Sequence, residues 1–580
     1  MNMNNDSQPV LLGGYAAKQC AVRSQNDHLP IARKWVPSPE DQARLDAGIA
    51  FEAEVFAQLA ALHPSAVYLD SQMGREEAIE ATMAAMRAGA PMILGGWLPD
   101  DPAGGRKGRP DILVAVDGGY LPADVKHHRS AEPKARKSAV VAPLSDPADW
   151  RPVSGWSSAT LYRYSDGLQL SHYGRQLLAC GQHPGEHRMW GAILGTTDIA
   201  VTAGGQPEPV LVWHDLNEPL GYTFSRSSDT GKRRRSLLER YDHEHRFRVL
   251  VAQTARRATR TGDMTTLLVE PVGQGECAKC PYSQVCAEQM GPDDPSAAIT
   301  TGGLDTREWL TLRRLGITTT ADLAEVDTSD PEFFTAYHRE VAHRGRDHAK
   351  TRLDGAVQRA QMIRAGVLIT RTAADHIAPV ADIEIDLDIE WDQQGRTYLW
   401  GVRTRRGGDD TTASYRAFTD WRATLDEQAE RELAGRCADW LRHQQATAQA
   451  AGQSLRVFHW SSPEPARLRK ILGAAATEDL LNPDTGIFED LEESFKQGYL
   501  SLHGTSIKKV APVFGFTWSA EDAGGAISQT YLSAVRAGVE SADQARQWLL
   551  DYNLDDCAAM AAIRDGMNSW PQSVSTRIYN

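Results

Sequence analysis

The most regular hydrophobic pattern in the chain lies in residues 382–390, where acidic and aliphatic side chains alternate. The acidic positions are Asp382, Glu384, Asp386, Asp388 and Glu390, and isoleucine or leucine stands between them. In a β-strand, this period of two places every carboxylate on one face and every aliphatic side chain on the other. Such a row of carboxylates is self-repelling unless cations neutralise it, so we interpret part of the face as a divalent-metal site.

A second pattern predicts a β-hairpin, with a strand at 112–116, a turn at 117–119 and a returning strand at 120–125. Asp111 precedes the first strand and Asp124 lies near the end of the second, so the hairpin brings the two carboxylates together. Asp124 and Lys126 share one face. Two carboxylates and an ammonium suit metal-assisted phosphodiester hydrolysis. The alternative is a hairpin with a solvated polar face.

Helical periodicity predicts three further elements that carry candidate residues. Residues 39–64 predict a helix that bears Glu52, with an apolar side formed by Leu45, Ile49, Phe51, Val55, Leu59 and Leu62. Residues 166–182 predict a helix with Gln169 and Tyr173 one turn apart, and residues 542–567 predict one with Tyr552 and Asp556 at the same spacing.

The remaining segments are assigned more coarsely. Strands are expected at 190–201, 207–216, 397–404 and 456–460, a polar mobile stretch at 127–150, a basic helical arm at 227–258, and a linker at 292–303. Two short helices are expected, one on each side of Leu315-Gly316-Ile317. They resemble a helix–hairpin–helix, whose turn presents backbone N–H groups to phosphate. A plain helical connector is the alternative.

Size and charge narrow the class of protein. With 580 residues, the chain can hold two to four domains, and 41% hydrophobic and 24% charged residues are ordinary globular values. Neither a membrane-spanning run nor a signal peptide is recognised, so we expect a cytoplasmic protein. The net charge of −14 means that a nucleic-acid enzyme must concentrate its cations locally. The candidates are Lys232 to Arg235, the group Arg256, Arg257 and Arg260, and the group Lys134, Arg136 and Lys137.

The cysteines indicate a metal site. Cys277, Cys280 and Cys286 lie within ten residues, and iron or zinc in a tetrahedral site requires a fourth ligand, for which Cys20 is the best candidate. Thiolate ligands alone do not separate zinc from iron, and unligated buried thiols are a further alternative. The G-x-x-x-x-G-K-[ST] loop of a helicase motor does not occur in the sequence.

The order of these motifs resembles the PD-(D/E)XK nuclease superfamily, and the Gln169–Tyr173 helix resembles its RecB-like branch. The resemblance implies that Glu52, Asp111 and Asp124 bind metal, that Lys126 is catalytic, and that Gln169 and Tyr173 orient the site and contact DNA. Glu54 is the alternative to Glu52. The cysteine spacing resembles the iron–sulfur clasp of AddB and of CRISPR-associated RecB-like nucleases. This implies a [4Fe–4S] cluster on Cys20, Cys277, Cys280 and Cys286, with structural zinc as the alternative.

The second half resembles the DEDD exonuclease group of the RNase H-like fold, and more narrowly the RNase H-like domain that follows a RecB-like nuclease in one bacterial family. The resemblance selects Asp388, Glu390 and Asp556 as ligands of Mg²⁺ or Mn²⁺ and Tyr552 as the residue that orients the attacking water. Glu464 stands where other DEDD enzymes have Asp, and Asp490 is the alternative. This departure leaves open a domain that binds nucleic acid without cutting it.

Together these features predict an α/β protein with a RecB-like domain at 1–295, a helical connector at 296–365 and an RNase H-like domain at 366–580. The expected activity is Mg²⁺- or Mn²⁺-dependent hydrolysis of DNA at or near single-stranded ends, in repair, recombination or defence. A helicase or translocase is an expected partner. The alternatives are a nucleic-acid-binding scaffold with one or both sites vestigial, and a nuclease that acts on RNA.

Overall fold

The chain forms two compact units. The computed structural model describes residues 9–202, 204–373, 375–392, 394–519, 525–570 and 576–578. The first unit comprises Met1–Pro292, Thr306–Thr311 and Pro331–Ala349, and the second comprises Asp293–Asp305, Leu312–Asp330 and Lys350–Asn580. Residues of the expected connector, 296–365, are therefore shared between the two units.

The described chain up to residue 292 contains both strands and helices. The strands up to residue 292 are β1 (Val67–Tyr68), β2 (Met92–Leu94), β3 (Leu98–Asp101), β4 (Arg106–Gly108), β5 (Ile112–Val116), β6 (Gly119–Val125), β7 (Ala131–Pro143), β8 (Arg151–Ser158), β9 (Trp190–Ile199), β10 (Glu208–Asp215), β11 (Pro219–Phe224) and β12 (Lys232–Ser236). The helices in that range are α1 (Ala21–Asn26), α2 (Pro39–Leu62), α3 (Arg75–Arg87), α4 (Thr160–Ala179), α5 (Leu237–Thr261) and α6 (Ser283–Met290).

The first unit is built on an eight-stranded mixed sheet in the order β1-β2-β5-β6-β9-β10-β7-β8. The predicted hairpin is confirmed as β5 and β6, with Ile112 opposite Ala123. Gly118 has φ +87°, a left-handed conformation in which a side chain would be strained. Strand β9 runs parallel to β6 on its other side and fixes the end that carries Asp124 and Lys126.

Three expectations for the first unit need correction. The predicted apolar side of α2 is buried only in part, because Leu45, Ile49 and Leu62 are exposed whereas Val55 and Leu59 enter the core. The stretch 127–150, expected to be mobile, contains β7, whose alternate alanines and valines pack against β10. The basic arm is helical only from Leu237, since Lys232–Ser236 pairs with β11 as a hairpin strand.

From residue 293 to 365 the described chain is helical. Its helices are α7 (Pro295–Ala298), α8 (Thr306–Arg314), α9 (Thr320–Ala324), α10 (Pro331–Val341) and α11 (Arg346–Ala365). The predicted turn between two short helices is present, with Gly316 at φ +87° and the Ile317 amide donating to the Leu312 carbonyl at 3.0 Å. A phosphate-binding role for this turn stays a prediction.

The later elements make up most of the second unit. The strands are β13 (Val367–Arg371), β14 (Ile383–Trp391), β15 (Thr397–Arg406), β16 (Asp409–Thr419), β17 (Leu455–His459), β18 (Phe488–Asp490), β19 (Tyr499–Ser501) and β20 (Thr576–Ile578). The helices are α12 (Glu427–Ala450), α13 (Pro463–Leu472), α14 (Ala474–Leu481), α15 (Leu491–Gly498), α16 (Ile507–Val510), α17 (Gly525–Ala537) and α18 (Ala542–Asn568).

The main sheet of the second unit has the order β16-β15-β14-β17-β18. Strands β14 to β16 are antiparallel neighbours, and β17 and β18 then add in parallel to β14. The aliphatic face of β14 packs with α12 to α14, in a core that includes Leu387, Leu433 and Leu468. The carboxylate face of β14 is covered by α18. Residues 571–575, which precede β20, lie outside the described residues.

A fully buried polar network ties α4 and α5 to the β3–β4 region of the first unit. His172 contacts the Lys107 carbonyl at 3.0 Å and the Tyr241 hydroxyl at 2.9 Å, and His245 contacts the Gly104 carbonyl at 3.1 Å. Burial, and for His172 the neighbouring His245, lowers the pKa of both imidazoles, for His245 to about 4. Both are therefore neutral in the folded protein at pH 7.

We expect the first unit to lose stability as the pH falls from about 6.5 towards 4. Unfolded histidines titrate near 6.5, so in this window the unfolded chain binds protons that the folded imidazoles do not accept. Each buried imidazole contributes a slope of at most about 1.4 kcal/mol per pH unit. Urea unfolding midpoints measured across this range test the expectation. His245→Gln should flatten the dependence, while the exposed His187→Gln should not; equal slopes in both variants would contradict it.

Candidate functional site

Three carboxylates of the second unit converge at one point. Asp388 and Glu390 lie on the same face of β14, and Asp556 lies on α18, which crosses that face. One oxygen from each lies within 4.8 Å of the other two. Among the described residues, this is the only such group of three His, Cys, Asp or Glu side chains. Oxygen ligands at this spacing are suited to Mg²⁺ or Mn²⁺.

The other carboxylates of the same face are neutralised by arginines. Arg564 donates to Asp386 at 2.7 Å and to Glu384 at 2.9 Å, and Arg405 donates to Glu384 at 2.7 Å. All four side chains are almost completely buried. Asp382, at the exposed start of the row, accepts hydrogen bonds from Ser454. Only part of the acidic row can therefore bind a metal ion. The sequence pattern did not indicate that arginines would neutralise Glu384 and Asp386.

The converging carboxylates are electrostatically strained without a cation. Burial and the neighbouring Asp556 raise the pKa of Asp388 well above its ordinary value, and burial and Asp388 do the same for Glu390. Burial also raises the pKa of Asp556, although the Lys508 ammonium opposes this effect. A divalent cation would remove the mutual repulsion.

A neighbouring amide holds Asp388 in position. Asn553 donates to Asp388 Oδ2 at 2.7 Å and accepts a hydrogen bond of 2.8 Å from the Tyr415 hydroxyl. The amide fits only because residue 401 is glycine, since a Cβ there would stand 1.6 Å from Asn553 Oδ1. Sequence reasoning missed Asn553, although its place one residue after Tyr552 on the same helix was a usable signal.

Aromatic and cationic side chains surround Asp556. Lys508 and the Trp518 indole, 2.7 Å away, both donate to Asp556 Oδ1. The Lys508 ammonium also lies 4.4 Å from the centre of the Tyr552 ring, which stacks on Trp548 at 5.1 Å. Tyr552 therefore lies beside the carboxylate cluster, as expected. The contact of Trp518 was not predicted.

Glu464 approaches the same site from the N-terminus of α13. Its Oε2 is buried and forms no hydrogen bond within the described residues, and His459 Nδ1 is 3.8 Å away. Burial, Asp388 and then Asp490 raise the pKa of Glu464 well above its ordinary value. Asp490, the alternative, accepts amide hydrogen bonds from Ser461 and Glu493 at the start of α15. Within the described residues, Glu464 does not join the group of carboxylates whose oxygens all lie within 4.8 Å of one another, and its role as the fourth acidic residue stays a prediction.

The hairpin of the first unit assembles a second polar group. Asp111 accepts a hydrogen bond of 2.8 Å from the Val125 amide, and Lys126 forms an ion pair with Asp124. Burial and the neighbouring Asp124 raise the pKa of Asp111 well above its ordinary value. Burial would lower the pKa of Lys126, but Asp124, Tyr15 and Asp111 together raise it. We refer to Asp111, Asp124, Lys126, Gln169 and Tyr173 as the first site, and to Asp388, Glu390 and Asp556 as the second site.

Helix α4 places Gln169 and Tyr173 beside this hairpin. Gln169 donates to the Tyr173 hydroxyl at 3.1 Å, and both side chains are buried. Helix α4 packs against β6, and burial, followed by the charge of Asp124, raises the pKa of Tyr173 well above its ordinary value. Lys18 and Tyr15 also enter the first site, and no motif in the sequence indicated them.

Glu52 does not complete a three-carboxylate set at the first site. It is half-buried on α2, and within the described part of the chain it forms no group with Asp111 and Asp124 in which all ligand oxygens lie within 4.8 Å. Glu54, the alternative, is exposed and accepts a hydrogen bond from Gln58. The assignment of Glu52 as a metal ligand stays a prediction.

The four predicted cysteine ligands lie in one region of the first unit. Cys20, Cys280 and Cys286 border a common apolar cluster with Val22 and Tyr282. Burial, followed by the charge of Cys20, raises the pKa of Cys286 to about 11, and Cys277 contributes to the raised pKa of Cys20. Among the described residues, no three of the sulfurs lie within 4.8 Å of one another.

Two amide groups contact the predicted ligand sulfurs. Asn26 donates to Cys286 Sγ at 3.7 Å, and Gln274 donates to Cys20 Sγ at 3.6 Å. Thiolates are ligands that both zinc and iron accept, so the four cysteines fit a thiolate-bound metal group. The identity of that metal stays a prediction.

Comparison with known proteins gives one family match, which covers part of the second unit. Residues 385–568 match the family model of the RNase_H superfamily. No curated protein and no solved structure matches the chain. The matched residues include the second site, so the match and the geometry together support an RNase H-like, metal-dependent nuclease domain. In the described part of the chain, no helix combines the length and the apolar character needed to cross a bilayer.

We expect Asp388→Asn to abolish Mn²⁺ binding at the second site. The substitution removes one of three converging charges, whereas Asp382→Asn removes an exposed carboxylate from the same row and should leave binding unchanged. The number of bound Mn²⁺ ions, measured by electron paramagnetic resonance, should fall in the first variant only. Unchanged stoichiometry in Asp388→Asn would show that these carboxylates do not hold the ion.

Proposed function

We propose that this protein is a divalent-metal-dependent nuclease that hydrolyses DNA at or near single-stranded ends. The observation that carries the proposal is the convergence of Asp388, Glu390 and Asp556 within the part of the chain that matches the RNase_H superfamily. When bound, the cation supplies Lewis acidity and an acidified water. Here the carboxylates would bind Mg²⁺ or Mn²⁺, with Glu464 as the fourth acidic side chain.

The surroundings of the second site suit a nucleic-acid end. Tyr552 would orient the attacking water from its position beside Asp556. The Lys508 ammonium would pass from Asp556 to a phosphate oxygen once a cation occupies the carboxylates. Trp518 supplies a half-exposed aromatic surface, on which an unpaired base of either DNA or RNA could stack.

The first site is proposed as a second hydrolytic centre. Asp111 and Asp124 would hold the cation, and Lys126 would stabilise the charge that develops on the phosphate. Gln169 and Tyr173 would orient the site and contact the strand. The position of Glu52 favours a second candidate role for this site, in which it binds nucleic acid without cutting it.

Paired substitutions test both hydrolytic assignments. We expect Asp388→Asn and Lys126→Ala each to remove one component of Mn²⁺-dependent cleavage, and the double variant to lose about 10²-fold or more. The assay uses end-labelled single- and double-stranded DNA and matched RNA, with Asp382→Asn and Lys107→Ala as controls.

Each outcome of this assay has a distinct meaning. Cleavage that persists in the double variant would contradict the hydrolytic assignment of both sites. If Lys126→Ala alone does not affect cleavage, the first site would be a binding surface and not a hydrolytic centre. Faster cleavage of RNA than of DNA would correct the substrate class. Metal-independent binding without any scission would establish the scaffold alternative.

The thiols are proposed to hold a [4Fe–4S] cluster that joins the segment around Cys20 to the end of the first unit. The common location of the thiols and the amide donors to two of them support a thiolate-bound metal group, and the cysteine spacing favours iron over zinc. Cross-linking segments so distant in sequence would stabilise the fold chiefly by restricting the unfolded chain.

We expect anaerobically purified protein to show the broad visible absorption of an iron–sulfur cluster and about four irons per chain. Cys280→Ser should reduce the iron content, whereas Cys180→Ser, a half-buried thiol at the end of α4, should not. Zinc in place of iron, or equal metal content in both variants, would contradict the assignment.

A further inference from the structure

A short N-terminal segment crosses the first site and is held at both of its ends. At one end, the Leu12 amide donates to the Gly105 carbonyl at 2.9 Å, and the Lys107 amide donates to the Leu12 carbonyl at 3.0 Å. At the other end, Arg248 donates to the Gln19 carbonyl at 2.9 and 3.2 Å. We name residues 10–20 the N-terminal strap. Because both ends are anchored, the residues between them have a defined place over the hairpin and α4.

The middle of the strap lies directly on the Gln169–Tyr173 face. A Cβ at Gly14 would stand 3.3 Å from Gln169 Cγ and 3.3 Å from the Tyr173 hydroxyl oxygen, tighter than most real contacts. Glycine therefore permits the close approach of the strap to α4. The short helical turn Ala16–Lys18 follows immediately and carries Lys18 into the site.

Lys18 brings a second ammonium group to the first site. Its Nζ donates to Gln169 Oε1 at 2.8 Å and lies 4.2 Å from the centre of the Tyr15 ring. The Lys126 ammonium lies 5.9 Å from the centre of the same ring, so the two cations flank one aromatic side chain. Tyr15 is about half exposed, at 49%, which leaves this part of the site open to solvent.

The partners of Lys18 leave its charge uncompensated at close range. No carboxylate of the described residues lies within 4.0 Å of the Lys18 ammonium, and its direct contacts are a neutral amide and a ring. Burial and the charge of Lys126 lower the pKa of Lys18 to about 8, although Asp166 and Asp124 oppose this shift without forming an ion pair with Lys18. By contrast, Lys126 is paired with Asp124. A phosphate would supply the anion that Lys18 lacks, through a charge-assisted hydrogen bond.

We propose that Lys18 binds a backbone phosphate of the nucleic-acid strand, adjacent to the phosphate that is hydrolysed beside Asp111, Asp124 and Lys126. This inference rests on the proposed function of the first site. Lys18 would thereby set the register of the strand, and Gln169 would hold its ammonium in place before the strand arrives. The strap would act as part of the substrate-binding surface.

Binding measured without cleavage separates this proposal from the nuclease function. Fluorescent single-stranded DNA is titrated in EDTA at several salt concentrations, in a background that carries Asp388→Asn. Lys18→Gln, which keeps a hydrogen-bond donor for Gln169 but removes the charge, should weaken binding about tenfold and reduce the salt slope by about 0.7. Lys18→Arg should restore both quantities. The exposed Lys107→Ala, on the strand next to the strap, should change neither.

Steady-state cleavage by the first site provides the second readout. Lys18→Gln should raise KM about tenfold with little change in kcat, whereas Lys126→Ala should lower kcat. Wild-type affinity and salt slope in Lys18→Gln would overturn the proposal for Lys18, whatever the cleavage assays show. Cleavage insensitive to Lys126→Ala, with the binding defect of Lys18→Gln intact, would instead overturn only the hydrolytic role of the first site. A lowered unfolding midpoint in Lys18→Gln that Lys18→Arg does not rescue would assign Lys18 a structural role.

Discussion

Mutual repulsion among carboxylates on one buried strand face is the constraint on which the second unit depends. Strand β14 carries acidic side chains at alternate positions, and burial makes each unneutralised charge expensive. The structure meets this constraint in two ways along the same face. Arg405 and Arg564 neutralise Glu384 and Asp386 with direct hydrogen bonds. Asp388 and Glu390 face Asp556 instead, and this part of the row is where a divalent cation would bind.

The two ends of the carboxylate face of β14 have different roles. One end stabilises the fold through ion pairs, and the other end is a candidate metal site. The arginine end lies under α18, where planar guanidinium groups satisfy buried carboxylates in a fixed geometry. At the other end, Asn553 and Trp518 direct the carboxylate oxygens, and Lys508 is the one ammonium among the described residues that forms an ion pair with these three carboxylates. The same helix supplies both Arg564 and Asp556, so the packing of α18 determines the ion pairs and the candidate metal site together.

The first unit handles buried charge differently. Asp124 already has the Lys126 ammonium as a partner, and Asp111 is hydrogen-bonded to the Val125 amide. Two ammonium groups flank Tyr15, so this site contains cations as well as carboxylates. The first site therefore has two ammonium groups beside two carboxylates, whereas the second has Lys508 beside three carboxylates. The first site is thus better suited to hold a phosphate without a bound metal ion.

Local sequence determined much of this arrangement. The alternation at 382–390 and the Gly-containing turn at 117–119 each specify a strand or hairpin, because side-chain period and backbone sterics act over a few residues. The pairing of Tyr552 with Asp556 follows in the same way from helical spacing. What the sequence left undecided depends on distant segments. Whether an acidic residue meets an arginine or another carboxylate, as Asp386 and Asp388 do, depends on how α18 packs across β14. The entry of Lys18 into the first site likewise follows from tertiary packing, since contacts between distant segments leave no periodic trace in the chain.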